Sequence, residues 1–186
     1  MPVKFSSEWS GAVANWQQRV LRTGLPLTAT SFAGASARAY FVYLGKTLRA
    51  ITPKHVEVHI NPAGSGAQTA EVGLFSTPSA PDRTAKTFTK LVATGTVDDL
   101  TTTGLKRNPT AFTVEIPAGT HLWAGVRTAM ATTQPTYLPG IFHDRALGAV
   151  QWCTAAAALT GAGPWTGEVQ VASNSTLAPD ITVTLD

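Results

Sequence analysis

Four histidines, eleven carboxylates and one cysteine are the chain's material for acid–base, metal or nucleophilic chemistry. His55, Glu57 and His59 alternate along one run, so a strand would set all three on one face. At a rise of about 3.3 Å per residue the two histidines stand roughly 13 Å apart, too far to share an ion unaided. Glu57 with either histidine supplies two donors, and a third would have to come from a neighbouring strand. The spacing favours a polar outer face over a metal site. His143-Asp144 sets a base beside a group that orients one, yet neighbours in a strand point to opposite faces. Asp98-Asp99 runs into Leu100-Thr-Thr-Thr-Gly104 and reads as a turn, not as the two separated carboxylates of a glycosidase cleft. Gly64-Ser-Gly66 lacks the Lys-Ser/Thr that completes a phosphate loop and reads as a hairpin loop. No Gly-x-Ser-x-Gly occurs. Cys153 lacks the signature of a catalytic nucleophile, so a buried inert thiol is expected. No catalytic residue, metal ligand or cofactor is assigned on these grounds, and the chain is expected not to be an enzyme. A hydrolase built on His143–Asp144 or Asp98–Asp99 is the last alternative.

Aromatic residues carry the stronger binding signal. Trp123, Tyr137 and Trp165, with Trp152 and Phe142 nearby in sequence, lie in the C-terminal half. Flat rings beside Asn and Thr donors make sugar platforms, and they also make ordinary cores and interfaces. Core or interface is the leading expectation. A ligand platform of Trp123, Tyr137 and Trp165 is the alternative. Within His121-Leu-Trp-Ala-Gly-Val126, alternation puts Trp123 and Gly125 on one face and Leu122, Ala124 and Val126 on the other.

The elements that must position these residues follow from periodicity. Trp9, Val13, Trp16 and Val20 recur at helical spacing and predict an amphipathic helix over residues 6–22. Ser6 or Ser7 would cap it, Glu8 suits its first turn, and Arg19 and Arg22 suit its last, near Gly24. Its apolar stripe would lie on this protein's own sheet edge or on a neighbouring subunit. Trp9, Val13, Trp16, Arg19, Val20 and Arg22 are therefore the expected partner-docking set. Residues 23–38, rich in Thr, Ser, Gly and Ala, read as an extended linker. Residues 1–38 would form an arm and residues 39–186 one β-domain.

From residue 39 onward strands dominate. Ala39-Tyr-Phe-Val-Tyr-Leu44 is aromatic and β-branched, and His55-Val-Glu-Val-His-Ile60 alternates with Val56, Val58 and Ile60 inward. Further strands are predicted at 69–76, 87–97, 111–116, 120–128, 136–142, 148–153, 166–172 and 181–185. No β-helix-β alternation appears, which disfavours a parallel α/β fold. Short alternating strands between Gly and Pro clusters predict an all-β, antiparallel jelly-roll β-sandwich.

Charged residues are only 13% of the chain, against about 25% in an ordinary soluble domain. Threonine and alanine take their place, with 28 of each, and at 44% hydrophobic the chain can bury a core. One cysteine excludes an internal disulfide framework. The first residues lack an apolar signal region, and no run of 18 apolar residues occurs, so neither secretion nor a membrane contact is expected. Charge is uneven. Lys4, Arg19, Arg22, Arg38, Lys46, Arg49 and Lys54 face only Glu8 in residues 1–54, while the remainder is slightly acidic. The bases are scattered, which disfavours nucleic acid and favours a protein-docking or solvated face.

Three phrases carry a likeness: Glu71-Val-Gly-Leu-Phe-Ser-Thr-Pro-Ser-Ala-Pro, Lys90-Leu-Val-Ala-Thr-Gly-Thr-Val, and Ile116-Pro-Ala-Gly-Thr-His-Leu-Trp-Ala-Gly-Val-Arg127. Over roughly residues 40–185 the chain resembles jelly-roll domains of tailed-bacteriophage virions. The resemblance implies a virion surface or appendage protein: a head decoration, head fibre or spike, or a tail-fibre or baseplate module. It implies a homo-oligomer, with a trimer favoured, bound to other virion proteins and assembled in the bacterial host cytoplasm. An N-terminal arm would dock it. It brings no catalytic residues. A carbohydrate- or receptor-binding module touching a cell-surface glycan is the alternative.

Overall fold

The computed structural model describes residues 20–22, 25–26, 32–33, 38–61, 65, 68–81, 84–95, 97, 99–130, 132–137, 140–141, 149–153, 158–171 and 179–185. The strands are β1 Val20–Arg22, β2 Leu25–Pro26, β3 Phe32–Ala33, β4 Arg38–Lys46, β5 Pro53–Ile60, β6 Gln68–Thr77, β7 Lys86–Thr94, β8 Gly104–Arg107, β9 His121–Met130, β10 Thr136–Tyr137, β11 Gly140–Ile141, β12 Ala149–Cys153, β13 Trp165–Val171 and β14 Ile181–Leu185. Their pairings are antiparallel. Among the described residues there is no helix, and so none long and apolar enough to cross a membrane.

Six strands pair round into a closed barrel in the order β12-β13-β7-β6-β9-β4. A second sheet has the order β1-β14-β5-β10-β3, and β8 also pairs with β5. The short pair β11-β2 stands by itself.

The run that makes β4 is apolar at every position from Ala39 to Leu44 because both of its faces are covered. Ala39, Phe41 and Tyr43 join Phe75, Phe88, Trp123, Leu159 and Trp165 in one cluster, to which β4, β6, β7, β9 and β13 contribute. That cluster fills the barrel lumen. Tyr40, Val42 and Leu44 join Val72, Leu74, Leu122, Ala124 and Val126 with Val56, Val58, Ile60, Ile181 and Val183. This second core lies between the outer wall of the barrel and the second sheet. A bulge on β4 between Tyr43 and Gly45 adjusts the register against β9. Gly45 has φ of 116°, which a side-chain-bearing residue rarely adopts.

The β5 alternation is as the sequence predicts, with Val56, Val58 and Ile60 at most 1% exposed. Residues 111–116 differ. Phe112 and Ile116 are buried, while Ala111, Thr113 and Glu115 are exposed, so the alternation is real, but the segment forms no strand: it makes a bridge between Ile116 and Ile51, and the Phe112 N–H donates to the Lys54 carbonyl at 2.8 Å. Pro109 and Pro117 bracket it and lack the N–H a ladder needs. Between β7 and β9 the strand that pairs with β5 is β8, which begins at Gly104, the end of the predicted turn. Where one strand is predicted over 136–142, Thr136–Tyr137 forms β10 and Gly140–Ile141 forms β11, in different sheets. The predicted helix over 6–22 does not extend to its end, because Val20–Arg22 is strand, drawn out by backbone pairing with β14. The linker expected over 23–38 contains β2 and β3.

Candidate functional site

The lumen decides the fate of the expected ligand platform. Phe41 and Phe88 stack with centroids 4.0 Å apart, and Phe88 meets Trp123 edge-on at 5.1 Å. Phe41 and Trp165 both pack edge-on against Phe75, at 4.9 and 5.4 Å. Trp123 is fully buried, and its Nε1–H donates to Thr77 Oγ1 at 2.8 Å. Trp165 is 3% exposed. Tyr137 is also fully buried, but in the other core, where its hydroxyl lies 2.7 Å from Thr128 Oγ1 and its ring meets Tyr40 edge-on. Burial pushes the Tyr137 phenol up from its ordinary value, against the smaller pull of the Thr128 hydrogen bond. None of the three rings is at the surface, Tyr137 lies apart from the two tryptophans, and none offers a face to a sugar. Closure of the barrel puts Trp123 and Trp165 on its inner side, and Tyr137 fills the core shared with the second sheet.

One side of the lumen holds a charge pair. Glu71 on β6 and Arg127 on β9 are register partners. Arg127 Nη1 donates to Glu71 Oε2 at 2.8 Å, with the two side chains 14% and 3% exposed. Glu71 Oε2 also accepts from the Leu159 backbone N–H at 3.1 Å, and Oε1 from Thr160 Oγ1 at 2.9 Å. From outside, Lys90 Nζ donates to the carbonyls of Thr160 and Gly161 at 2.9 and 2.6 Å. The segment 158–161 is thereby tied to the barrel from both sides. Sequence reasoning passed over Glu71 and Arg127, although each sits as a lone charge within an apolar strand, and the two signs match.

Elsewhere on the barrel the Tyr43 hydroxyl lies 2.8 Å from His121 Nδ1. Thr77 Oγ1, which receives the Trp123 N–H, donates to the Ser79 carbonyl at 2.8 Å. Lys86 Nζ donates to Ser79 Oγ at 2.9 Å. These contacts pin the loop after β6.

His55, Glu57 and His59 lie on the second sheet, but not as the open polar face expected: Glu57 is buried and the two histidines are half-buried. His55 Nδ1 donates to the Asn108 carbonyl at 2.8 Å, and Glu57 sits 3.7 Å from Arg107. Among the described residues no group of three His, Cys, Asp or Glu side chains converges on a metal position. Asp99 forms the predicted turn: Thr101 donates its backbone N–H and its hydroxyl to Asp99 Oδ1 at 2.8 and 2.6 Å. The hydroxyl bond first, then the backbone bond, hold its carboxyl below the ordinary value. Ser65 makes a bridge with Thr133, and the predicted hairpin is not formed, because β5 and β6 on either side of Gly64-Ser-Gly66 lie in different sheets and do not pair. Cys153 ends β12. His143, Asp144 and Asp98 lie outside the described residues, as do Trp9, Val13, Trp16 and Arg19 of the docking set.

Val20 and Arg22 of that set are placed at a sheet edge. β1 runs Val20↔Thr184, Leu21↔Val183 and Arg22↔Thr182 along β14. β2 pairs with β11 and β3 with β10. Residues 20–33 thus supply edge strands to three places by main-chain pairing. Side-chain periodicity does not signal this seam, because backbone groups carry it. No family model, curated protein or solved structure matches the chain.

Proposed function

We propose that this chain is a non-enzymatic structural protein of a tailed-bacteriophage virion: a head decoration, head fibre or spike. It assembles in the host cytoplasm as a homo-oligomer, with a trimer favoured, and its basic N-terminal arm anchors it to other virion proteins. Its two-layer antiparallel body is a jelly-roll derivative in which one layer curls into a barrel. The observation that carries this reading is the filled lumen. Rings from five strands and a buried ion pair occupy the space where a ligand-carrying barrel keeps its cavity. Such a body works through its outer surface and its sheet edges. Those edges are where the strands of residues 20–33 lie. The sequence phrases around Glu71, Lys90 and Ile116 point the same way.

The test is composition and attachment. Mass spectrometry of purified particles from the source lysate should find the chain, and gold-labelled antibody should decorate the outside of particles. A variant lacking residues 1–19 keeps every strand described above. It should fold, by circular dichroism, and fail to bind particles. Absence of the chain from particles, or attachment of the truncated form at the full-length level, overturns the proposal.

A further inference from the structure

We infer that the paired loops 46–51 and 116–120 form a second docking contact, on the body of this protein: an apolar tip between basic side chains that seats in an acidic surface of another virion protein. The inference rests on the structural reading above and adds to the N-terminal arm a contact that the arm does not contain.

The tip is braced before any partner arrives. β4 ends at Lys46, paired with His121 at the start of β9, and the two segments stay laced beyond the strands. The Thr47 N–H donates to the Thr120 carbonyl at 2.9 Å, and the Gly119 N–H donates to the Thr47 carbonyl at 2.7 Å. Thr47 Oγ1 donates to the Pro117 carbonyl at 2.7 Å and accepts from the Thr120 N–H at 2.9 Å. Ile51 and Ile116 exchange two backbone bonds on the far side, at 3.0 and 2.8 Å. Ile116 is buried in the core between the layers, and Ile51 packs against it. Gly119 turns the chain with φ of 85°, in the left-handed region. Loops held this way have little conformational freedom left to lose on binding.

What the bracing displays is apolar. Leu48 is 64% exposed, and among the described residues the other exposed large hydrophobic is Leu105 on β8. Ala50, Pro117 and Ala118 are exposed on the same laced loops as Leu48, so the tip is a patch and not a lone side chain. Its rim is basic. Lys46 and Arg49 flank Leu48, Lys54 follows at the start of β5, and the facing segment contributes one acid, Glu115. From residue 9 to residue 56 the chain has no acid at all. The charge asymmetry of the sequence therefore reaches the body at this tip and is not confined to the arm. An apolar centre within a charged rim is the anatomy of a docking patch, and the sign of this rim selects an acidic partner.

The test is co-sedimentation of the purified chain with particles assembled without it, at low and at high salt. The expected result is wild-type binding that weakens as salt rises, and a loss of about tenfold in affinity in Leu48→Asp. Leu105→Asp, which alters the other exposed leucine, should bind as the wild type does. Circular dichroism checks that each variant folds, and if Leu48→Asp does not, Arg49→Glu reads the same tip. Wild-type binding that Leu48→Asp matches, or that Leu105→Asp loses equally, overturns the inference and leaves the structural reading standing. Binding that does not respond to salt overturns the acidic partner. A wild-type chain that does not bind particles overturns both the inference and the reading beneath it.

Discussion

Replacing Glu71 by alanine should destabilise the protein by about 3–5 kcal/mol, the usual result of removing one partner of a buried ion pair. The carboxylate serves three donors: Arg127 Nη1, the Leu159 N–H and the Thr160 hydroxyl. Losing the two neutral donors' acceptor costs on the order of 1 kcal/mol each. The larger part is the guanidinium of Arg127, left without its anion in a site where its Nε already lacks a partner. For a chain of this size the loss lowers the melting temperature by about 6–20 °C. Urea unfolding followed by tryptophan fluorescence measures it, with equal slopes showing that the same surface is exposed. Hydrogen exchange gives a local readout: the Leu159 amide should be protected in the native protein and exchange freely in Glu71→Ala. The control is Glu71→Gln with Arg127→Met, which removes both charges, keeps one acceptor and roughly keeps volume. It should be more stable than Glu71→Ala, because no lone charge remains. A loss under about 1 kcal/mol in Glu71→Ala would show a solvated pair that does not anchor residues 158–161.

Other expectations follow from contacts already described. Gly125→Ala places a Cβ 2.7 Å from Phe75 Cε2 and 3.1 Å from Phe41 Cε1, and calorimetry should find a loss of about 1–3 kcal/mol from overpacking. Gly73→Ala should cost more, because its Cβ would stand 2.6 Å from the Val92 backbone oxygen, which cannot rotate away. Asn108→Ala removes the acceptor for the buried Val56 N–H and the donor to the Thr110 carbonyl, and chemical denaturation should show a loss of about 1–3 kcal/mol. The Asp99 carboxyl should titrate by NMR below 3.8, and Thr101→Val should bring it back toward that value. Because the folded value is the depressed one, the stabilisation it gives is present above the unfolded value and disappears as pH falls through the folded value.

Period-2 patterning was readable wherever one face or both were buried by side chains. The β5 alternation and the doubly apolar β4 run are examples, and their strands lie where the sequence places them. Patterning failed where backbone groups decide. Residues 111–116 alternate as well as β5 does, but Pro109 and Pro117 limit them to isolated backbone bonds, and the polar segment Gly104-Leu-Lys-Arg107 takes the ladder instead. Val20 fits a helical stripe with Trp16 and Val13, yet the open edge of β14 extends it as strand. The aromatics were misleading for a related reason. Trp123 and Trp165 have the composition of a platform, and only closure of the barrel, a property of six strands together, puts them inside.

The scarcity of charge also changes meaning once burial is known. Glu57, Glu71, Lys86, Lys106 and Asp180 are buried, so part of an already small set of 14 bases and 11 acids is inside. The surface of the described residues therefore stays as poor in charge as the chain as a whole. A charge-poor surface of threonine and alanine loses little hydration when it packs against another protein. The Glu71–Arg127 pair fixes which strands meet, since a slipped register would bury its charges unpaired. Interior charge then specifies the barrel, and exterior neutrality lowers the cost of assembly. This division of labour predicts that charge introduced at exposed Thr87 or Thr89 on β7 leaves folding intact. Where β7 packs against a second copy, the same charge weakens association, and light scattering of Thr87→Glu and Thr89→Glu separates the two effects.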